Sequence, residues 1–155
     1  MIQGLAPKYD WRQNPAGCRR TIEEALEIAR GNGVNIPDYV HFSIDTLELI
    51  QAGCYAKTTT FNEPEGTMIY WSCLFHKKTH KIPFLIHEDV LTSDEAIVAV
   101  IGHEMYELEK LHEMFREGAP IDHWLNETSG DNPENCHSDA WDYADELVAR
   151  MREKL

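Results

Sequence analysis

Apolar residues recur at helical spacing in three stretches of the chain. The longest runs from Ser93 to Glu117, where Ile97, Val100, Ile101, Leu108, Leu111 and Phe115 form one stripe. Thr92, three residues before Glu95, has capping-box spacing, and Asp94 and Glu95 favour the positive end of the helix dipole. Gly118 and Pro120 end the helix. A second helix is predicted from His137 to Lys154, with Ala140, Trp141, Ala144, Leu147, Val148 and Met151 on its apolar side. A shorter one covers Thr21 to Arg30, opened by Thr21 and Glu24, stopped by Gly31-Asn32-Gly33, and buried along Ile22, Leu26 and Ala29.

Between the first two helices in the chain the period changes to two. Val40, Phe42 and Ile44 alternate with His41 and Ser43, which predicts a half-buried strand. Thr46 to Ala52 fits either a helix or a strand. Tyr55 to Phe61 is Thr-rich, residues 62–66 form a turn cluster, Thr67 to Phe75 reads as a strand, and Lys77-Lys78 marks a further turn. Lys81 to His87 completes the series. Pro83 lacks a backbone donor, so this strand is expected at a sheet edge. Residues 1–20 are irregular, with Tyr9 and Trp11 pinning the arm to the body. Residues 118–135 are a polar connection with one anchored turn at Ile121, Trp124 and Leu125. The expected fold class is α+β: a small antiparallel β meander packed against the long helix and the C-terminal helix, in a single domain over residues 1–155.

Composition narrows the partners. The apolar fraction of 43% and the charged fraction of 26% suit a soluble domain with a real core. The net charge of -13, with no basic run, argues against nucleic acid and is compatible with a cationic partner. No apolar run has membrane-span length, and the first residues lack a signal-peptide pattern, so a soluble chain is expected, cytoplasmic or exported by another route. Cys18, Cys54, Cys73 and Cys136 show no CxxC spacing and are expected as free thiols.

The candidate chemistry lies on the long helix. Glu104 falls in the middle of the apolar stripe, where a carboxylate costs free energy unless it is paired, bound or protonated. His103 and Glu107, four residues apart, project from one face at the border of that stripe. His137 opens the buried face of the last helix. If the two helices pack, His103, Glu107 and His137 converge as a two-imidazole, one-carboxylate zinc set. Glu104 would then stand beside the activated water as general base. The plainer alternative is that residues 103–107 are a charged helix flank.

Other polar residues have plainer roles. His112 reads as a surface or supporting group, and Asp139 and Asp142 as helix-flank charges, one of which could orient an imidazole. Cys136 could ligate as a thiolate. His76 and His80 bracket a solvated turn, His87-Glu88 terminates a strand, and His123 has no evident partner. No G-x-S-x-G elbow, catalytic cysteine context or glycine-rich phosphate loop is present.

Over roughly residues 67–145, the strand-then-helix order and the His103-Glu104 pair resemble the zincin metallopeptidases, whose signature is H-E-x-x-H on a helix. Glu107 stands where that family has its second histidine. If His137 fills the downstream position, where the gluzincin branch uses Glu, the ligand set stays two His and one Glu with the types exchanged. The phrase SDEAIVAVIGHEMYEL is also similar to small zincin-like toxin domains of bacterial polymorphic secretion systems. The resemblance implies a zinc-dependent peptidase or amide hydrolase acting on a peptide or protein, and a protein inhibitor or partner is compatible with it. An edge strand at Lys81 to His87 would hold an extended peptide by strand addition. Two alternatives stay open: a binding module that keeps a zincin-like architecture without turnover, and a structural role for a protonated or hydrogen-bonded Glu104.

Overall fold

In a computed structural model the chain is described over residues 19–52, 55–58, 82–118 and 136–154, with the side chains at 52, 57, 58, 115 and 136–138 outside that description. The elements in order are α1 (Ile22–Gly31), β1 (Val40–Ile44), α2 (Thr46–Ala52), β2 (Ala56–Thr58), β3 (Ile82–Ile86), a 3-10 turn (Glu88–Thr92), α3 (Asp94–Arg116) and α4 (Cys136–Glu153). The fold is α+β, as the alternating periods indicate. Predicted features at residues 1–18, the strand Thr67 to Phe75, the turns around it, and the connection beyond Gly118 lie outside the described residues.

α1 forms as its ends dictate. Glu24 N–H donates to Thr21 Oγ1 at 3.1 Å and Thr21 N–H to Glu24 Oε1 at 3.0 Å, the reciprocal capping box. Asn32 closes the other end with its side-chain amide on Ile28 O, and Gly33 takes a φ of 96°. Ala25 and Ala29 carry the buried face, with Ile22, Leu26 and Ile28 partly buried against the core.

The antiparallel meander requires correction. Among the described residues the sheet has the order β1-β3-β2, with β1 parallel to β3 and β2 antiparallel to β3. Within the expected Lys81 to His87 strand, Ile82–Ile86 is therefore central among the described strands, not an edge. Pro83 is tolerated there for a geometric reason. The Ile82 N–H points to the β1 side, donating to Tyr39 O, and the His87 N–H points to the β2 side, donating to Tyr55 O. Alternation puts the missing donor of Pro83 on the β2 side, away from β1, so the parallel ladder keeps its hydrogen bonds. With both flanks occupied over Phe84 to Ile86, strand addition of a peptide along this part of β3 is ruled out.

Two further expectations change locally. Thr46–Ala52 resolves as a helix, started by Asp45, whose carboxylate accepts from Glu48 N–H at 3.2 Å. Leu49 is buried against Leu85, while Leu47 and Ile50 face outward. Ile44, expected inward, is 50% exposed at the last position of β1, where it is still paired with Ile86. The cap of α3 is Ser93, whose Oγ accepts from Ala96 N–H at 3.3 Å. Thr92 instead closes the 3-10 turn by donating to Asp89 O at 2.7 Å, and Glu95 reaches across to Arg152, whose Nε donates to its Oε2 at 3.2 Å.

The core is built around α3. It packs on α4, on α1 and on the 3-10 turn, and Ala96 to Ile101 are buried on every side of the helix. Phe42 and Phe84, 5.4 Å apart, form the sheet side of the core. α4 runs antiparallel to α3: Glu95 near the start of α3 meets Arg152 near the end of α4, and Tyr106 meets Tyr143. Gly102 makes this approach close. A Cβ there would lie 2.6 Å from Leu147 Cδ1, with Val34 and Tyr143 filling the space around it. Leu147 is 1% exposed and has little room to yield. Gly102→Ala is therefore expected to destabilise the chain by about 1–3 kcal/mol in urea denaturation. The sign is opposite to the gain of about 1 kcal/mol that helix propensity alone would bring, and Gly102→Val should cost more than Gly102→Ala.

Candidate functional site

Helix geometry and the α3–α4 packing together position the site. His103 follows Gly102 on the side of α3 that meets α4, so its ring lies against Trp141, with centroids 4.5 Å apart and planes at 63°. Its Nε2 is 2.7 Å from Oε1 of Glu107, one turn along the same helix. Glu104, the next residue round the helix, is turned into the apolar core. All three are buried: His103 is 0%, Glu104 3% and Glu107 3% exposed. The sequence placed His103 and Glu107 at the border of the core; they are inside it. The signal for this was present in the unbroken apolar run AIVAVI before them, which marks a helix buried on all sides rather than along one stripe.

Burial dominates the electrostatics. It pushes the Glu104 carboxyl up to about 8, and the neighbouring carboxylate of Glu107 adds to the rise. Glu104 is thus a proton-carrying group near neutral pH, and His103 and Glu107 share one short polar contact beside it. Burial of ionisable groups inside a helix pair normally costs free energy that a hydrophobic residue would avoid.

His137 lies in the first turn of α4, and its side chain is outside the described residues. The register of its backbone position follows from the contacts around it. Position 137 is one turn before Trp141, and Glu107 is one turn after His103. Because α3 and α4 run in opposite directions, both steps lead the same way along the helix pair. Position 137 therefore comes near the level of Glu107 rather than at the far end of the molecule. Among the described residues, no group of three His, Cys, Asp or Glu side chains is arranged to hold a metal ion.

The remaining candidates separate from this cluster. Asp139 and Asp142 are exposed, in keeping with flank charges. His112 is half-buried with its ring edge-on to Tyr39, centroids 6.5 Å apart. Successive helical residues turn by about 100°, which puts His112 on the side of α3 away from His103. His87 ends β3 and starts the 3-10 turn, its Nδ1 accepting from Asp89 N–H at 3.0 Å. Cys136 has its side chain outside the described residues, and His76, His80 and His123 lie outside them entirely. Trp141, read from sequence only as an apolar residue of α4, also forms a wall of the site.

No family model, curated protein or solved structure matches this chain.

The raised Glu104 carboxyl has a measurable consequence. Between its ordinary value of 4.5 and about 8, the folded chain holds a proton that the unfolded chain has released. Stability of the chelator-treated protein should therefore fall as pH rises through that window. Glu104→Gln should flatten this slope and stabilise the chain at pH 8 by on the order of 3 kcal/mol. Urea denaturation at pH 5 and pH 8 measures both, and an identical slope in the variant would contradict a buried, protonated carboxyl.

Proposed function

We infer that this chain is a metal-dependent hydrolase of peptide or amide bonds, using zinc or a similar divalent ion. The observation that carries this reading is the burial of His103, Glu104 and Glu107 together where α3 meets α4. The donor chemistry fits the ion. An imidazole nitrogen and a carboxylate oxygen already face each other at 2.7 Å. His103 and Glu107 would hold the ion through that nitrogen and oxygen, donors of the kind that zinc takes. His137, at the matching register on α4, would be the third ligand.

A bound zinc ion supplies a Lewis acid and a water of lowered pKa. The chain's own residues do the rest. His103 is oriented by Trp141 against its ring, and Glu107 by its contact with His103. Glu104 would favour its ionised form beside a bound divalent cation, and as a carboxylate, nearly excluded from solvent, it would be the general base that takes a proton from water and returns it to the leaving amine. The zincin-like architecture belongs to this proposal, with the mixed sheet as its departure from the expected meander. The substrate would be a peptide or protein; the charge of -13 disfavours nucleic acid, and no helix among the described residues is long and apolar enough to cross a membrane.

One observation favours a second reading, a non-catalytic binding module of the same architecture. The His103–Glu107 contact at 2.7 Å is a good charge-assisted hydrogen bond without any metal. Metal analysis with a peptide-library hydrolysis assay separates the two. The hydrolase reading expects about one zinc per chain. Glu104→Gln should retain that zinc and lose at least roughly hundredfold in rate, whereas His103→Ala and His137→Ala should lose both metal and activity. A wild-type chain that takes up no zinc and hydrolyses nothing overturns the hydrolase reading and supports the binding module.

A further inference from the structure

A second site lies on another side of α3. A cavity of about 300 Å³ opens among Asn35 and Pro37 of the loop after α1, Met105, Tyr106 and Glu109 of α3, and Tyr143 of α4. Met105 and Glu109 sit roughly 160° round the helix axis from His103 and Glu107, and Tyr106 about 60° from His103, so the cavity opens mainly on the other side of the helix from the buried polar cluster. Tyr106 and Tyr143 stand side by side in its wall, ring centroids 5.4 Å apart and planes at 34°. Met105, Leu108 and Pro37 are the apolar residues of the lining.

The charge in this wall is a carboxylate. Glu109 is exposed and already accepts a guanidinium, Arg116 Nη2 donating to its Oε1 at 3.5 Å across the helix surface. That pair is long and solvent-exposed on both sides, so it is weak and readily exchanged. Tyr39 lies close to the same group: burial chiefly raises its hydroxyl pKa, and the Glu109 carboxylate adds to the rise. Aromatic rings, a thioether, an apolar stem-binding surface and one carboxylate form a set that suits a planar cation on an aliphatic stem. A chain with net charge -13 attracts such a group from a distance.

We propose that this cavity binds the side chain of an arginine presented by a partner peptide, its stem against Met105, Leu108 and Pro37 and its guanidinium at Glu109 beside Tyr106 and Tyr143. An ammonium could satisfy the carboxylate, but a guanidinium also stacks on tyrosine faces. The site does not depend on metal at His103 and Glu107.

The test is an amide NMR titration of the isotope-labelled full chain with Nα-acetyl-arginine methylamide, against its neutral isostere Nα-acetyl-citrulline methylamide. The arginine compound should shift the amides of residues 105–109 and 143, with the citrulline compound at least roughly tenfold weaker, since charge-assisted and cation–π contacts are lost together. Glu109→Gln, an exposed position whose replacement leaves the core intact, should weaken the arginine compound by roughly tenfold. Tyr106→Leu should weaken it further, whereas Tyr106→Phe should keep most of the binding. Equal binding of the two compounds, shifts centred elsewhere, or unchanged affinity in Glu109→Gln would each overturn the proposal.

Discussion

The approach of α3 to α4 at Gly102 is the constraint on which the remaining structure depends. Without a side chain at that position the two helices come close enough for Leu147 to fill the gap. The same approach brings His103 against Trp141 and Tyr106 against Tyr143. A wider spacing would admit water around His103, Glu104 and Glu107 and make them ordinary surface groups. Their burial, and hence their chemistry, follows from packing before it follows from charge.

That burial is costly in isolation, and the surroundings show how it is offset. The turns of α3 before the polar cluster are apolar on every side and are covered by α1, α4 and the 3-10 turn. A helix anchored so firmly at one end can carry ionisable groups further along without being drawn out toward solvent. The short His103–Glu107 contact satisfies part of each group. Such an arrangement costs stability relative to an apolar core, which is the usual mark of a site kept for its chemistry.

Much of this was legible in the sequence. The helices followed from apolar spacing and from the reciprocal Thr21–Glu24 cap, and the burial of Glu104 from its place inside a hydrophobic stripe. What failed has identifiable physical causes. Thr92 and Ser93 both qualify as a cap, and only the preceding 3-10 turn, which engages Thr92, decides for Ser93. Pro83 pointed to a sheet edge because one missing donor is incompatible with a fully paired strand, yet that donor would face away from β1, and the parallel ladder does not need it. Strand direction is not encoded in alternation at all, so the parallel pairing of β1 with β3 could not be read from Val40, Phe42 and Ile44. Nor could the depth of His103, which depends on a neighbouring helix supplying Trp141.

The parallel pairing of β1 with β3 also bears on how the molecule assembles. Its partners, Val40 with Ile82 through Ile44 with Ile86, are joined only after the whole of α2, β2 and the chain beyond it has been enclosed as a loop. Closing so large a loop is entropically slow, whereas α1 and α3 each form from neighbours in sequence. The β1–β3 ladder therefore cannot start as a local hairpin, and like the α3–α4 pair, whose Glu95 and Arg152 are still further apart in sequence, it forms only once distant parts of the chain have met.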